Sequence, residues 1–135
     1  MNGGAGNDTL FGGDANDTLL GGIGDDFIDG GTGNNRVTGG AGNDTLVASS
    51  GNDIFVFAAG FGADQIIGFD ADAAGGQDRL DISSFGVNAV TFVGNVIITD
   101  VGADTLISSA GAESIRLVGV ADATTITAAD FILAT

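Results

Sequence analysis

Asp8, Asp17, Asp26, Asn35, Asp44 and Asp53 recur at every ninth position in the first part of the chain. Oxygen-bearing side chains at a fixed spacing can hold a cation, provided the fold brings alternate members over one another. Two carboxylates about 5 Å apart repel by roughly 3 kcal/mol at an effective dielectric of 20. A divalent ion between them reverses the sign. The 135 residues contain neither histidine nor cysteine, so carboxylates and backbone carbonyls are the available donors. Such a set suits a hard cation that tolerates irregular coordination, which describes Ca2+ better than Mg2+ or Zn2+.

The elements that must position these side chains are nonapeptides: GGAGNDTLF (3–11), GGDANDTLL (12–20), GGIGDDFID (21–29), GGTGNNRVT (30–38), GGAGNDTLV (39–47) and a worn ASSGNDIFV (48–56). Self-similarity at a fixed period sets the architecture before any local reading. Glycine at places one, two and four permits a tight turn and leaves carbonyl oxygens uncovered. Gly3, Gly12, Gly21, Gly30 and Gly39 are therefore candidate carbonyl ligands beside the acids. Place eight is always apolar (Leu10, Leu19, Ile28, Val37, Leu46, Phe55), which predicts three-residue strands with only the middle side chain turned inward. A strand that short buries almost nothing alone. Two nonads must then form one flattened coil, and coils must stack at about the 4.8 Å parallel-strand spacing. Stacking sorts place six into two columns, Asp8, Asp26, Asp44 and Asp17, Asn35, Asp53.

Departures from the repeat carry their own expectations. Ala15 replaces the third glycine of the second unit, and Asp14 beside it is a possible extra ligand. Asn35, followed by Arg36, removes a charge, so the two sites that share its turn are expected to be weaker. Place five (Asn7, Asn16, Asp25, Asn34, Asn43, Asn52) reads as turn-stabilising hydrogen bonds, with Asp25 also a candidate ligand. An ice-binding ladder is disfavoured by the irregular place three. Past Val56, residues 59–67 read as a degenerate seventh unit whose Asp64 extends the Asp44 column. The acidic stretch 70–81 spaces its acids like an EF-hand loop, but Ala74 and Asp81 sit where better ligands belong and its flanks read as strands. It is either a plain acidic loop or one more calcium site, with Asp78 and Asp81 as ligands.

The remainder reads as antiparallel β-structure, with runs at 90–93, 96–99, 105–108 and 115–120 separated by turn signals, and one helical turn at Thr127–Asp130. The chain thus divides into a parallel roll (3–56) and a β-rich cap (57–135), since a solenoid needs its open end covered. The net charge of −15, with three arginines and no lysine, excludes nucleic acid, because little here neutralises phosphates. No apolar run approaches spanning length, so membrane insertion is not expected. The start lacks a signal-peptide pattern, and an upstream catalytic or adhesive domain would precede Met1. Without histidine, cysteine, lysine or tyrosine, a serine lacks its usual base, and no enzyme activity is expected.

Residues 3–56 resemble the RTX calcium-binding β-roll. The phrases Asp53-Ile-Phe-Val-Phe57, Gly60-Phe-Gly-Ala-Asp64, Ile67-Gly-Phe-Asp70, Asp78-Arg-Leu-Asp-Ile-Ser83 and Thr127-Ala-Ala-Asp-Phe131 are similar to the C-terminal region of serralysin-type proteases and other type I secreted proteins. The resemblance implies an all-β, right-handed parallel β-roll, capped by an antiparallel sandwich-like region, with several Ca2+ ions between stacked turns held by carbonyls and place-six aspartates. It implies a bacterial protein, secreted or at the cell surface, whose C-terminus meets the type I secretion apparatus; Asp130 to Leu133 match that export signal, with Ala134 and Thr135 following. The family's HExxH protease motif is absent. The function expected is a module that folds on meeting extracellular calcium and supports secretion. The alternative is a self-assembling structural subunit, a surface layer or filament stacked head to tail through its first coil.

Overall fold

The computed structural model describes residues 1–71, 77–86, 96–108 and 113–135. Odd-numbered strands of the roll lie side by side in one sheet: β1 (Asn2–Ala5), β3 (Thr18–Ile23), β5 (Arg36–Ala41), β7 (Ile54–Val56) and β9 (Arg79–Asp81), with the C-terminal β13 (Phe131–Ile132) at its edge. The other sheet runs β2 (Thr9–Phe11), β4 (Phe27–Asp29), β6 (Thr45–Val47), β8 (Ala63–Ile67), β12 (Ser114–Val118), β11 (Thr105–Ser108) and β10 (Ile97–Asp100). The roll is parallel throughout. Leu10 lies against Ile28 and Ile28 against Leu46, so each coil takes eighteen residues, as the repeat predicts.

Place eight builds the core. Leu10, Ile28, Leu46, Ile66 and Leu117 line one sheet, and Leu19, Val37, Phe55, Leu80 and Phe131 the other, all within one buried cluster. Burying a side chain of this size contributes about 1.5–3 kcal/mol. The ladder survives two changes of spacing. Leu46 pairs with Ile66 across an offset of twenty residues, two more than in the coils before it. Phe55 pairs with Leu80 across an offset of twenty-five.

The C-terminal strands continue these same sheets. β12 adds to β8 in parallel, and β11 and β10 follow it antiparallel. The turn signal at 101–104 closes the β10–β11 hairpin, where the Val101 N–H donates to the Asp104 carbonyl at 2.9 Å. Phe57, Phe61 and Phe85 pack edge to face, centroids 4.9 and 5.9 Å apart, over the C-terminal end of the roll. Thr127 caps a 3-10 turn at Ala128–Asp130, where one helical turn is expected. The run at 90–93 lies outside the described residues. No described helix is long and apolar enough to cross a membrane.

Glycine at place four has φ between 106° and 142° at Gly6, Gly24, Gly33, Gly42 and Gly51, and Ala15 takes 92° in the equivalent place. The alanine keeps the turn and bears the strain of a conformation that suits glycine. Replacing Ala15 with glycine is expected to raise stability by about 1 kcal/mol in chemical denaturation with calcium present. Unchanged or lower stability would show that this turn is not strained.

Candidate metal centre

Each place-six backbone is hooked to the next coil. The N–H of Asp8 donates to Asp26 Oδ1 at 2.7 Å, that of Asp26 to Asp44 Oδ1 at 2.8 Å, and that of Asp44 to Asp64 Oδ1 at 2.9 Å. The second column runs likewise, from Asp17 to Asn35 Oδ1 (2.9 Å), Asn35 to Asp53 Oδ1 (2.8 Å) and Asp53 to Asp78 Oδ1 (2.8 Å). One oxygen of each side chain is thereby fixed toward the coil before it. Its other terminal atom must point toward the coil after it.

There the acids find no donor. Oδ2 of Asp8, Asp17, Asp26, Asp44 and Asp64 is buried without a hydrogen-bond partner. Those of Asp8, Asp17, Asp26 and Asp44 lie in the notch left by a missing side chain at place one. A Cβ on Gly3 would stand 2.6 Å from Asp8 Oδ2 and 2.8 Å from the Gly21 carbonyl; on Gly21, 2.3 Å from Asp26 Oδ2 and 2.4 Å from the Gly39 carbonyl. At Gly12 it would meet the Gly30 carbonyl at 2.3 Å and Asp17 Oδ2 at 3.1 Å, and at Gly39 it would meet Asp44 Oδ2 at 2.1 Å. A carboxylate oxygen and the carbonyl of the following turn thus share one notch. Leaving such acceptors buried and unpaired costs on the order of 1–3 kcal/mol each, more when charged. A cation removes that cost, and hard oxygen donors in this number and irregularity fit Ca2+. Among the described residues no group of three or more acidic side chains is placed to hold a metal ion, so carbonyls must complete any coordination shell.

The remaining sequence candidates fall in different places. Asp64 and Asp78 both join the columns; Asp78 does so as the acid of Asp78-Arg79-Leu80, whose Leu80 pairs with Phe55. Asp81 is a correction: its Oδ2 lies 3.0 Å from Arg36 and its Oδ1 accepts from the Ser83 hydroxyl and N–H, so donors already fill it. Asp14 is exposed and accepts from Thr32 Oγ1 at 3.1 Å. Asp25 belongs to the place-five ladder, accepting the Asn43 N–H at 2.9 Å while its own N–H donates to Asn7 Oδ1 at 3.0 Å. Neither reaches the notches. An open pocket was not foreseen from sequence: Ser49, Ser50, Gly51 and Gly68 line it with Asp53, Asp70 and Asp78. Its one sequence signal was the loss of the glycine pair in the sixth unit.

Burial pushes Asp64 up to about 8 and Asp53 up to about 6, against the opposing N–H of Asp44 and of Asn35. Burial raises Asp44 and Asp78 too. At Asp81 burial also works upward, but Ser83 and Arg36 outweigh it and hold the carboxyl low.

The family model for the RTX calcium-binding nonapeptide repeat matches residues 1–28, 20–55 and 29–66. No curated protein matches the chain by sequence. Among solved structures, the chain is similar to the AlgE6R3 subunit of the Azotobacter vinelandii mannuronan C5-epimerase, at TM-score 0.75 and 28% identity over 98% of this chain and 81% of that one. The AlgE6R2 subunit of the same enzyme follows at TM-score 0.71 and 25% identity over 100% of this chain and 92% of that one. The extracellular lipase LipA of Serratia marcescens matches at TM-score 0.72 and 27% identity over 98% of this chain; the chain spans 20% of the lipase.

The raised carboxyls fix the sign of the pH response without metal. A carboxyl whose folded pKa exceeds the ordinary 3.8 contributes stability that is complete below that value and is lost as pH rises through the folded pKa, here about 6 for Asp53 and about 8 for Asp64. In chelator, acidifying from pH 8 to about 4.5 is therefore expected to increase the β-sheet circular dichroism signal. A signal that instead grows with rising pH would contradict this.

Proposed function

We propose that this chain, whose residues 1–66 match the RTX calcium-binding nonapeptide repeat, is a module whose folding is driven by extracellular calcium and that serves the export and stability of a secreted bacterial protein. One observation carries the reading: five buried Oδ2 atoms stand in two stacked columns without a donor. When bound, calcium supplies the positive charge that these facing acceptors lack. The chain supplies the rest. Place-six aspartates and the carbonyls of Gly21, Gly30 and Gly39 present the oxygens, the backbone N–H of the preceding coil orients the carboxylates from Asp26 onward, and place one stays open at Gly3, Gly12, Gly21 and Gly39 because it has no side chain. Metal-free, the columns repel and hold the coils apart; loaded, binding energy becomes folding energy.

The C-terminus supports the order of events. Asp130 is 1% exposed and Phe131 3%; Asp130 accepts the Thr127 N–H at 2.7 Å, and Phe131 pairs with Leu80 on β9. A type I exporter reading Asp130 to Leu133 would have to do so before β13 docks. Folding after exit, where calcium is plentiful, keeps that segment readable inside. No catalytic role is assigned to these residues.

Circular dichroism and sedimentation during a calcium titration, from chelator to about 10 mM, test this reading. A cooperative coil-to-β transition in a monomer is expected. Large chelator-reversible particles would favour the structural-subunit alternative, in which β1 and β2, the edge strands of the two sheets, meet another copy. A chain fully folded in chelator at neutral pH would overturn calcium-driven folding.

A further inference from the structure

Asn35 occupies place six of the fourth unit, 2% exposed, and its two terminal atoms face different levels of the column. Oδ1 accepts the Asp17 N–H at 2.9 Å, on the side of the second-unit turn. Nδ2 points the other way, 3.4 Å from each of the Gly31 and Gly33 carbonyls of its own turn and 2.9 Å from where a Cβ on Gly30 would stand. That is the place Oδ2 holds in the aspartate turns. The amide cannot be reversed, because its NH2 would then face the Asp17 N–H and its oxygen would face two carbonyls.

We propose that the Asn35 amide stands in for the cation at one level of the second column, closing the level between turns 30–35 and 48–53 to calcium while leaving the level between turns 12–17 and 30–35 an oxygen ligand. This rests on the calcium reading above. It replaces the expectation of two weaker sites with one open site and one shut. The amide places donor hydrogens before the Gly31 and Gly33 carbonyls, which in an aspartate turn would face only acceptors. It also removes the charge that would draw a divalent ion in. The second edge of the roll therefore contains a link that is complete without metal, while the first column, Asp8, Asp26, Asp44 and Asp64, has none.

The test is calcium stoichiometry by equilibrium dialysis on the full chain, wild type beside Asn35→Asp and Asn35→Ala. Asn35→Asp is expected to bind one more calcium per chain than wild type, and Asn35→Ala no more than wild type. Wild type that binds calcium while Asn35→Asp folds and takes up no extra ion overturns the assignment of Asn35 alone. Wild type that binds none overturns the calcium reading beneath it. Should Asn35→Asp fail to fold, the wild-type Asn35 side-chain amide resonances decide. Slowly exchanging NH2 protons that persist at saturating calcium support the link, and loss of their protection on calcium addition overturns it.

Discussion

Stacking imposes one constraint from which most of this molecule follows: each place-six N–H must find an acceptor in the next coil, and the acceptor is one oxygen of that coil's own place-six side chain. This bond fixes the carboxylate plane, so the second oxygen has no choice of direction. It points at the first residue of its turn and at the carbonyl of the turn after. At Gly3, Gly12, Gly21 and Gly39 that space takes a carboxylate oxygen, and a Cβ would come within 2.1–3.1 Å of it, so glycine serves there by its lack of a side chain. In these four turns the glycine at place one and the acid at place six are thus a single requirement, stated twice.

The apolar ladder and the acid columns pull in opposite directions when no cation is present. Place-eight side chains bury completely only when coils stack, since a three-residue strand has no other partner. Stacking brings the acids to the same spacing. Burial raises Asp44, Asp53, Asp64 and Asp78 together, which is the cost of desolvating charge at the turns while the strands gain from desolvating carbon. The core favours the roll and the edges oppose it, and that opposition makes the fold conditional on what fills the edges.

The period made the parallel coils, the core ladder, both columns and the displaced Asp64 legible in the sequence, because all of them depend on spacing alone. What spacing does not carry was missed. Asp78 follows Asp53 by twenty-five residues, so its place in the column was hidden by inserted chain, although Asp78-Arg79-Leu80 keeps the acid two residues before an apolar side chain. Asp81 looked like a ligand until its donors, Arg36 and Ser83, came from distant and neighbouring segments. The parallel pairing of β12 with β8 could not be read either; no repeat marks Ser114–Val118, and its register is set by burying Leu117 beside Ile66.

Asp25 and Asp26 show how little the residue type decides by itself. They are adjacent and identical, yet the exposed Asp25 receives the N–H of the following coil, whereas Asp26 receives that of the preceding coil and buries its second oxygen without a partner. The place-five ladder therefore runs up the roll and the place-six ladder runs down it, clamping each turn from both sides. Solvent can serve Asp25's remaining oxygen, so asparagine replaces it freely at Asn7, Asn16, Asn34, Asn43 and Asn52. No solvent reaches the second oxygen of Asp26. At place six, exchanging that oxygen for NH2 turns a site that needs a cation into one that supplies its own donors. Asn35 is the one place in columns otherwise made of aspartate where this chain makes that exchange.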